Sequence, residues 1–274
     1  MRALPLILSS LLAVALAPAM LRALRQGGHV RVNYRDRELP FPFGVMIVAA
    51  ALLALGPLAV IAKVDGEWLA GLVPNEVLIY TVGVAFLGLI DDVFSGPARG
   101  WRGHGGALLR GRLSTGMLKA AGSLGLALYV LGALNMPVDR WLLGSAVLVL
   151  ATNAFNLLDL RPGRAIKTFV LLGGGVTLGA WELWPLWKLG LFVGPALVAG
   201  AYDLRERAML GDTGANLLGA IAGLWIVLTL STTGLAIALA VLLAITVYGE
   251  LRSISQLVER LPLLRELDSW GRPS

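Results

Sequence analysis

The chain contains no cysteine, two histidines and few charged residues, and each shortage excludes a class of protein. Without cysteine, neither a disulfide framework nor a thiolate metal site can form. His29 and His104 lie far apart in sequence, which argues against a zinc site built on histidines. Charged residues make up 15% of the chain and hydrophobic residues 57%, with 34 glycines. This composition is typical of a membrane protein that crosses the bilayer several times.

Long apolar runs dominate what the sequence does contain. A helix needs about 20 apolar residues to cross the hydrocarbon core of a bilayer. On that rule we predict an all-α membrane protein with a single transmembrane domain over residues 1–274 and about nine spans. The predicted spans are 3–21, 43–62, 74–90, 115–134, 140–157, 167–182, 187–202, 213–230 and 233–249.

The basic residues are divided unequally between the two sides of these spans. Nineteen of the 23 lysines and arginines fall on one side, and the other side has only Arg2, Lys63, Arg140 and Lys188. Because cytoplasmic loops carry the excess of basic residues, we predict an external N-terminus and a cytoplasmic C-terminus. Anionic lipid explains the basic surface, so no nucleic-acid partner is expected.

The last 25 residues, 250–274, follow the ninth predicted span. Apolar residues recur there at helical spacing, from Leu251 to Leu261. This spacing predicts a cytoplasmic amphipathic tail with an interfacial helix that ends at Pro262.

Three polar strings interrupt the apolar chain, each at the cytoplasmic end of a predicted span. The first string contains the adjacent acids Asp91 and Asp92 at the C-terminus of the third span. The negative end of the helix dipole disfavours each acid there by roughly 0.3–1 kcal/mol, and the two carboxylates repel each other. They are either solvated residues, partners of Arg99 or Arg102, or parts of a site that supplies positive charge.

The second string places Asn153, Asn156 and Asp159 at intervals of three, on one stripe of the fifth span. Such a stripe faces the helix bundle or a cavity rather than lipid. Interhelical hydrogen bonding explains the two amides, whereas the added acid at the membrane surface favours a ligand site.

The third string begins the eighth span with Asp212, and Asn216 follows one turn later on the same face. An aspartate at a helix N-terminus is also a common cap, so Asp212 alone does not indicate catalysis. Lys119 lies early in the fourth span, where it either snorkels to the interface or pairs with a phosphate or an acid.

Together the strings predict a pocket at the cytoplasmic face with several carboxylates, amides and a lysine. Magnesium prefers oxygen ligands and commonly joins one or two carboxylates to substrate phosphates. The residues therefore predict a site for Mg²⁺ and phosphate at the membrane surface, without identifying a reaction.

The order of the motifs resembles a known enzyme family. Asp91-Asp92, Leu113-Ser114 with Lys119, the asparagine-rich string and Gly211-Asp212-Thr213-Gly214 follow one another as they do in the polyprenyl-phosphate N-acetylhexosamine-1-phosphate transferases. Phospho-N-acetylmuramoyl-pentapeptide transferase belongs to this family. The resemblance runs from about the second span to the ninth.

The resemblance implies an Mg²⁺-dependent transfer of a sugar-1-phosphate from a UDP-sugar to a polyprenyl phosphate, with release of UMP, in the synthesis of cell-envelope glycans. It implies that Asp212 is a metal ligand and that Asp91 and Asp92 help to hold the metal and position or deprotonate the lipid phosphate. It further implies that Lys119 contacts the phosphates and that Asn156 and Asp159 contact the nucleotide sugar. Asn153, in the same asparagine-rich string, is expected to bind substrate as well. A homodimer and a location in the bacterial inner (plasma) membrane are expectations from the family alone.

The chain departs from the family pattern after Asp159. Where the family has a second acid, this chain has Pro162, flanked by Arg161 and Arg164, which could hold an anionic group or indicate a different donor. The family's histidine-bearing loop near the C-terminus corresponds here to residues 261–268, which contain no histidine. An alternative function is therefore a catalytically silent relative that binds polyprenyl phosphate or organises an envelope-synthesis complex. A transporter with these acids as its ion site is a weaker alternative, because the acids lie at helix ends.

Overall fold

The computed structural model describes residues 1–66, 69–94 and 115–273, most of them in helices. The helices are α1 (Leu4–Gln26), α2 (Val45–Val64), α3 (Leu69–Leu72), α4 (Asn75–Phe94), α5 (Thr115–Gly132), α6 (Val138–Leu158), α7 (Arg164–Ala180), α8 (Trp184–Leu204), α9 (Gly211–Thr229), α10 (Thr232–Leu251), α11 (Ile254–Arg260) and α12 (Pro262–Ser269).

Every predicted span corresponds to a helix in the structure. Within the described ranges, eight helices are long and apolar enough to cross a membrane. The sixth predicted span corresponds to α7, which has 17 residues and is therefore about 26 Å long. This is shorter than the hydrocarbon core of about 30 Å. The structure thus supports a polytopic membrane protein, and the ninth span stays a prediction.

Helix α9 is the centre of the bundle and packs against α4, α6, α7 and α8. Nearly all of its residues are buried, so it is apolar around most of its circumference. Small residues let neighbouring backbones approach it closely. A Cβ atom on Gly219 would lie 2.6 Å from Thr152 Cα of α6, and one on Gly88 of α4 would lie 2.5 Å from the Asp212 carbonyl oxygen. These contacts hold α4 and α6 close against α9.

A short β-hairpin follows α1 and is the one departure from the predicted all-α fold among the described residues. Strands β1 (Val30–Val32) and β2 (Glu38–Pro40) pair antiparallel. Asn33 forms the turn, since its side-chain oxygen accepts hydrogen bonds from the backbone N–H groups of Arg35 and Arg37. The hairpin is joined to the loop before α9 by the hydrogen bond from Met209 N to Pro40 O.

The tail forms two helices instead of the single predicted one. Pro262 ends α11, as predicted, but it also begins α12. Proline suits the first turn of a helix because the N–H that it lacks would have no partner there. The helix after Pro262 was missed for this reason.

Candidate functional site

Two of the three polar strings meet at the side chain of Lys119. Asp91 lies near the end of α4 and Asp212 in the first turn of α9. The ammonium of Lys119 donates to Asp91 Oδ2 at 2.9 Å and to Asp212 Oδ2 at 2.8 Å. The three side chains are 14–31% exposed, so the ion pairs are largely shielded from water. Helices distant in sequence thus supply two carboxylates and one cation at one point.

Asn156 brings the second string to the same point. With its amide oriented to suit the network, its oxygen accepts from Lys119 Nζ at 2.6 Å and its nitrogen donates to Asp212 Oδ1 at 3.2 Å. All three ammonium protons of Lys119 then have an oxygen acceptor. We call Asp91, Lys119, Asn156 and Asp212 the charge cluster.

Asp92 has a different task from its neighbour Asp91. Its Oδ1 accepts from the backbone N–H of Asp212 at 2.9 Å, and its Oδ2 accepts from the N–H and the hydroxyl of Thr213 at 2.8 and 2.6 Å. The carboxylate therefore satisfies free N–H groups at the start of α9, where a negative charge is favoured. Gly211, with a φ of 71°, leaves room for it, because a Cβ there would lie 2.8 Å from Asp92 Oδ2.

The hydrogen bonds from α9 to Asp92 offset the unfavourable energy of two adjacent carboxylates at the C-terminus of α4. The C-terminus of α4 disfavours Asp92, whereas the N-terminus of α9 stabilises it. The sequence suggested that Asp212 caps α9, but the cap comes from Asp92 on another helix, which leaves the Asp212 carboxylate to pair with Lys119.

The other two members of the asparagine-rich string, Asn153 and Asp159, do not belong to the charge cluster. Asn153 donates to Thr246 Oγ1 of α10 at 3.3 Å, an interhelical hydrogen bond. Asp159 follows directly after Leu158, the last residue of α6. Burial, together with the negative charges of Asp203 and Asp212, raises the pKa of the Asp159 carboxyl well above its usual range. Its predicted contact with a nucleotide sugar stays a prediction.

The two arginines on either side of Pro162 are bound to the C-terminal tail. Arg164 is 5% exposed and makes a bidentate ion pair with Asp268 of α12, at 2.8 and 3.0 Å. Arg161 lies 3.5 Å from Glu259 of α11, and its guanidinium stacks over the ring of Tyr34 at 4.3 Å. Both predicted anion-binding side chains thus already have acidic partners.

Arg272 and Lys167 make further hydrogen bonds that hold the tail against the rest of the protein. Arg272 donates to Asp268 Oδ1 at 2.8 Å and to the Pro162 carbonyl oxygen at 2.7 Å. Lys167 donates to the backbone oxygen of Asp268 at 2.6 Å. We call Arg164, Lys167, Asp268 and Arg272 the tail clamp. Burial raises the pKa of Asp268, but hydrogen bonds from Arg164 and Arg272 outweigh it and hold that pKa below its usual value.

Two buried acids near the site were not predicted from the sequence. Asp203 accepts from the backbone N–H of Gly163 at 2.7 Å and so holds the segment between α6 and α7. The side chain of Glu206 is fully buried and accepts from Asn33 and Tyr34 of the hairpin at 3.3 and 3.2 Å. Neither acid belongs to a motif, and no spacing pattern marks it. A buried acid is identified only once its partners from distant segments are known.

The geometry partly fits the predicted Mg²⁺. Asp91, Asp212 and the Asn156 oxygen surround a point where a cation, the Lys119 ammonium, already lies, and oxygen donors are the ligands that Mg²⁺ prefers. Asp92, the third predicted ligand, is engaged by α9. Across residues 1–66, 69–94 and 115–273, no three acids or histidines are grouped closely enough to form a metal site by themselves.

Several predicted residues lie outside the described residues, namely Leu113, Ser114, His104, Arg99 and Arg102. No protein-family model matches the chain, and no curated protein matches it in sequence. The resemblance to the sugar-phosphate transferases therefore depends on its motifs alone.

Proposed function

We propose that this protein transfers a sugar-1-phosphate from a nucleotide diphosphate sugar, with a UDP-sugar as the first candidate, to a polyprenyl phosphate. The observation that carries the proposal is the charge cluster. Asp91, Lys119 and Asp212 come from three helices and meet within 3 Å of one ammonium nitrogen. Ionisable side chains within membrane-spanning helices are costly and mark functional sites by default, and the conjunction of these three favours a ligand with phosphate groups.

The distribution of basic residues supports a location for the reaction. With the external N-terminus and nine spans predicted above, the charge cluster faces the cytoplasm of a bacterial inner membrane. The bilayer then supplies the polyprenyl phosphate laterally, and the cytoplasm supplies the water-soluble donor. A homodimer is compatible with this arrangement and is not required by it.

The residues of the charge cluster have complementary roles in the proposed reaction. Asp91 and Asp212, with the Asn156 oxygen, would hold Mg²⁺, which when bound neutralises phosphate charge. Lys119 supplies a fixed positive charge for phosphate oxygens once its carboxylate partners are shared with the cation. Asp92 is a positioning residue, because it holds the first turn of α9 and therefore the backbone of Asp212.

The proposed step is an in-line displacement. An oxygen of the polyprenyl phosphate forms a bond to the sugar-linked phosphorus of the donor. The bond from that phosphorus to the oxygen bridging the two phosphates breaks, and the nucleoside monophosphate leaves with this oxygen and its electron pair. The products are a polyprenyl-diphospho-sugar and UMP. No proton has to be transferred for the step to balance, so catalysis consists of positioning and charge neutralisation.

A donor panel tests the proposal. The purified protein is incubated with undecaprenyl phosphate, Mg²⁺ and individual UDP-sugars, and UMP release is measured. We expect release with at least one donor and a loss of about 100-fold or more in Asp212→Asn. Asp139→Asn, at an exposed acid of α6 away from the charge cluster, is the matched control and should leave the rate unchanged. Equal rates in the two variants would refute the role of Asp212.

A second candidate, the catalytically silent relative, is favoured by one observation. Arg161 and Arg164, which stand where the family recognises its nucleotide, are bound to tail acids. A silent relative would bind undecaprenyl phosphate in a manner sensitive to Lys119→Met but release no monophosphate from any nucleotide sugar. Turnover of any donor excludes it.

A further inference from the structure

A second set of polar residues lies one helical turn deeper in the bundle than the charge cluster. Four residues beyond Lys119 in α5 is Ser123, and four beyond Asp212 in α9 is Asn216. Helix α6 runs the opposite way, and four residues before Asn156 is Thr152. Because residues four apart share one helix face, each of these side chains lies under a member of the charge cluster. We call Ser123, Thr152 and Asn216 the second polar layer.

The second polar layer is almost completely buried. Asn216 is 0% exposed, Ser123 2% and Thr152 3%. Thr152 donates its hydroxyl to the Leu148 carbonyl within its own helix. In the part of the chain that the structure describes, neither Ser123 Oγ nor either polar atom of the Asn216 amide has a hydrogen-bond partner in the protein. A buried amide without partners is costly anywhere, and most of all inside a membrane.

The chemistry of these atoms selects the ligand. The Asn216 amide lacks a partner at both Nδ2, which donates, and Oδ1, which accepts. A metal cation can satisfy only acceptors and would leave Nδ2 unpaired. Water both donates and accepts, and a buried water normally makes two to four hydrogen bonds with such groups. A hydroxyl such as that of Ser123 is suited to share the same water.

We propose that Asn216 and Ser123 bind ordered water in the second polar layer, directly beneath the charge cluster. This water satisfies the amide and links two side chains that make no hydrogen bond to each other. It also keeps the layer below Asp91, Lys119 and Asp212 polar, which lowers the free-energy cost of holding charges at the membrane boundary. The proposal goes beyond the transfer reaction and holds whether or not the protein is an enzyme.

A double-mutant cycle tests the shared water. Melting temperatures are measured in detergent for Asn216→Leu, Ser123→Ala and the double variant. We expect Asn216→Leu to lower the melting temperature by about 2–8 °C, because leucine displaces the water and leaves Ser123 unpaired. The double variant should lose less than the sum of the single losses, since both changes remove the same water. Ser145→Ala is the matched control, as that buried serine donates to the Trp141 carbonyl, and its effect should add to that of Asn216→Leu.

Other outcomes overturn the proposal. A higher melting temperature in Asn216→Leu, with additive effects in the cycle, would mean that the Asn216 amide binds no water and has no hydrogen-bond partner. A wild-type melting temperature that rises with Na⁺ or K⁺, lost in Asn216→Leu but kept in Ser145→Ala, would mean that a cation is bound instead. If the leucine variant does not fold, a high-resolution experimental structure of the wild type decides the question. Water density within hydrogen-bond distance of the Asn216 amide supports the proposal, and its absence refutes it.

Discussion

Replacement of Lys119 by methionine tests the charge cluster most directly. Methionine keeps the length of the side chain and removes its positive charge, so Asp91 and Asp212 face each other without the ammonium that they share. Asn156 also loses its contact with the ammonium. We expect a less stable protein whose stability has become dependent on an added cation.

The size of the effect follows from the distances and the burial. Two unit charges about 4 Å apart near a protein surface attract by about 4 kcal/mol, and removing one partner of a buried pair costs roughly 3–5 kcal/mol. The Lys119 side chain is 14% exposed and its partners are 17% and 31% exposed, so water screens part of this energy. We therefore expect a loss of about 2–4 kcal/mol in the free energy of unfolding, which lowers the melting temperature by about 4 °C or more.

Thermal unfolding followed by the fluorescence of the eight tryptophans measures this change in detergent solution. Addition of Mg²⁺ should raise the melting temperature of Lys119→Met by more than that of the wild type, because a divalent cation then neutralises the two carboxylates. Lys188→Met is the matched control, since Lys188 is half-buried and donates to an uncharged acceptor, the Gly71 carbonyl, rather than to a carboxylate. A Lys119→Met melting temperature equal to that of the wild type would refute the shared ion pair. An equal response to Mg²⁺ in both proteins would instead refute the metal role of the carboxylates.

Three further predictions concern the elements around the charge cluster. Asp92→Asn should lower the free energy of unfolding by about 1–2 kcal/mol, because the first turn of α9 loses a charged cap. Amide hydrogen exchange in that turn should accelerate, and unchanged exchange would contradict the capping role of Asp92. Gly88→Ala should cost at least about 2 kcal/mol of stability, because its Cβ would lie 2.5 Å from the Asp212 carbonyl oxygen. Gly56→Ala is the control: open space surrounds Gly56 inside α2, so this change should not destabilise the protein. The depressed pKa of Asp268 contributes stability that is complete above the ordinary aspartate pKa of about 3.9 and is lost as the pH falls through the lower folded value. Limited proteolysis should therefore release the tail only in strong acid in the wild type, but already at neutral pH in Asp268→Asn, and equal cleavage would argue against the tail clamp.

The helices could be predicted from the sequence because their signal is local. The run predicted at 140–157 became α6, Val138–Leu158, since an apolar segment of that length has few alternatives to a helix. The meeting of Asp91, Asn156 and Asp212 was also predictable. Successive spans alternate in direction. The strings lie at the ends of the third and fifth spans and at the start of the eighth, which places them at one end of the bundle.

The separate roles of the charged side chains in the site could not be predicted in this way. Whether Asp92 or Asp212 caps α9 depends on how α4 and α9 are rotated about their axes, and α9 is too uniformly apolar to show its orientation by a stripe. The ion pair of Arg164 with Asp268 joins residues 104 positions apart, and no periodicity connects them. The hairpin was missed because a three-residue strand leaves too short a pattern to distinguish it from a loop.

The position of Asp92 next to Asp91 has a mechanical consequence. One residue faces the charge cluster, and the next is hydrogen-bonded to the first turn of α9. A force applied to Asp91 by a ligand is therefore transmitted through one peptide unit to the helix at the centre of the molecule. Occupancy of the site should thus be detectable in the backbone of the first turn of α9, as a slower exchange of its amide protons. That protection would report ligand capture even in a variant that performs no chemistry.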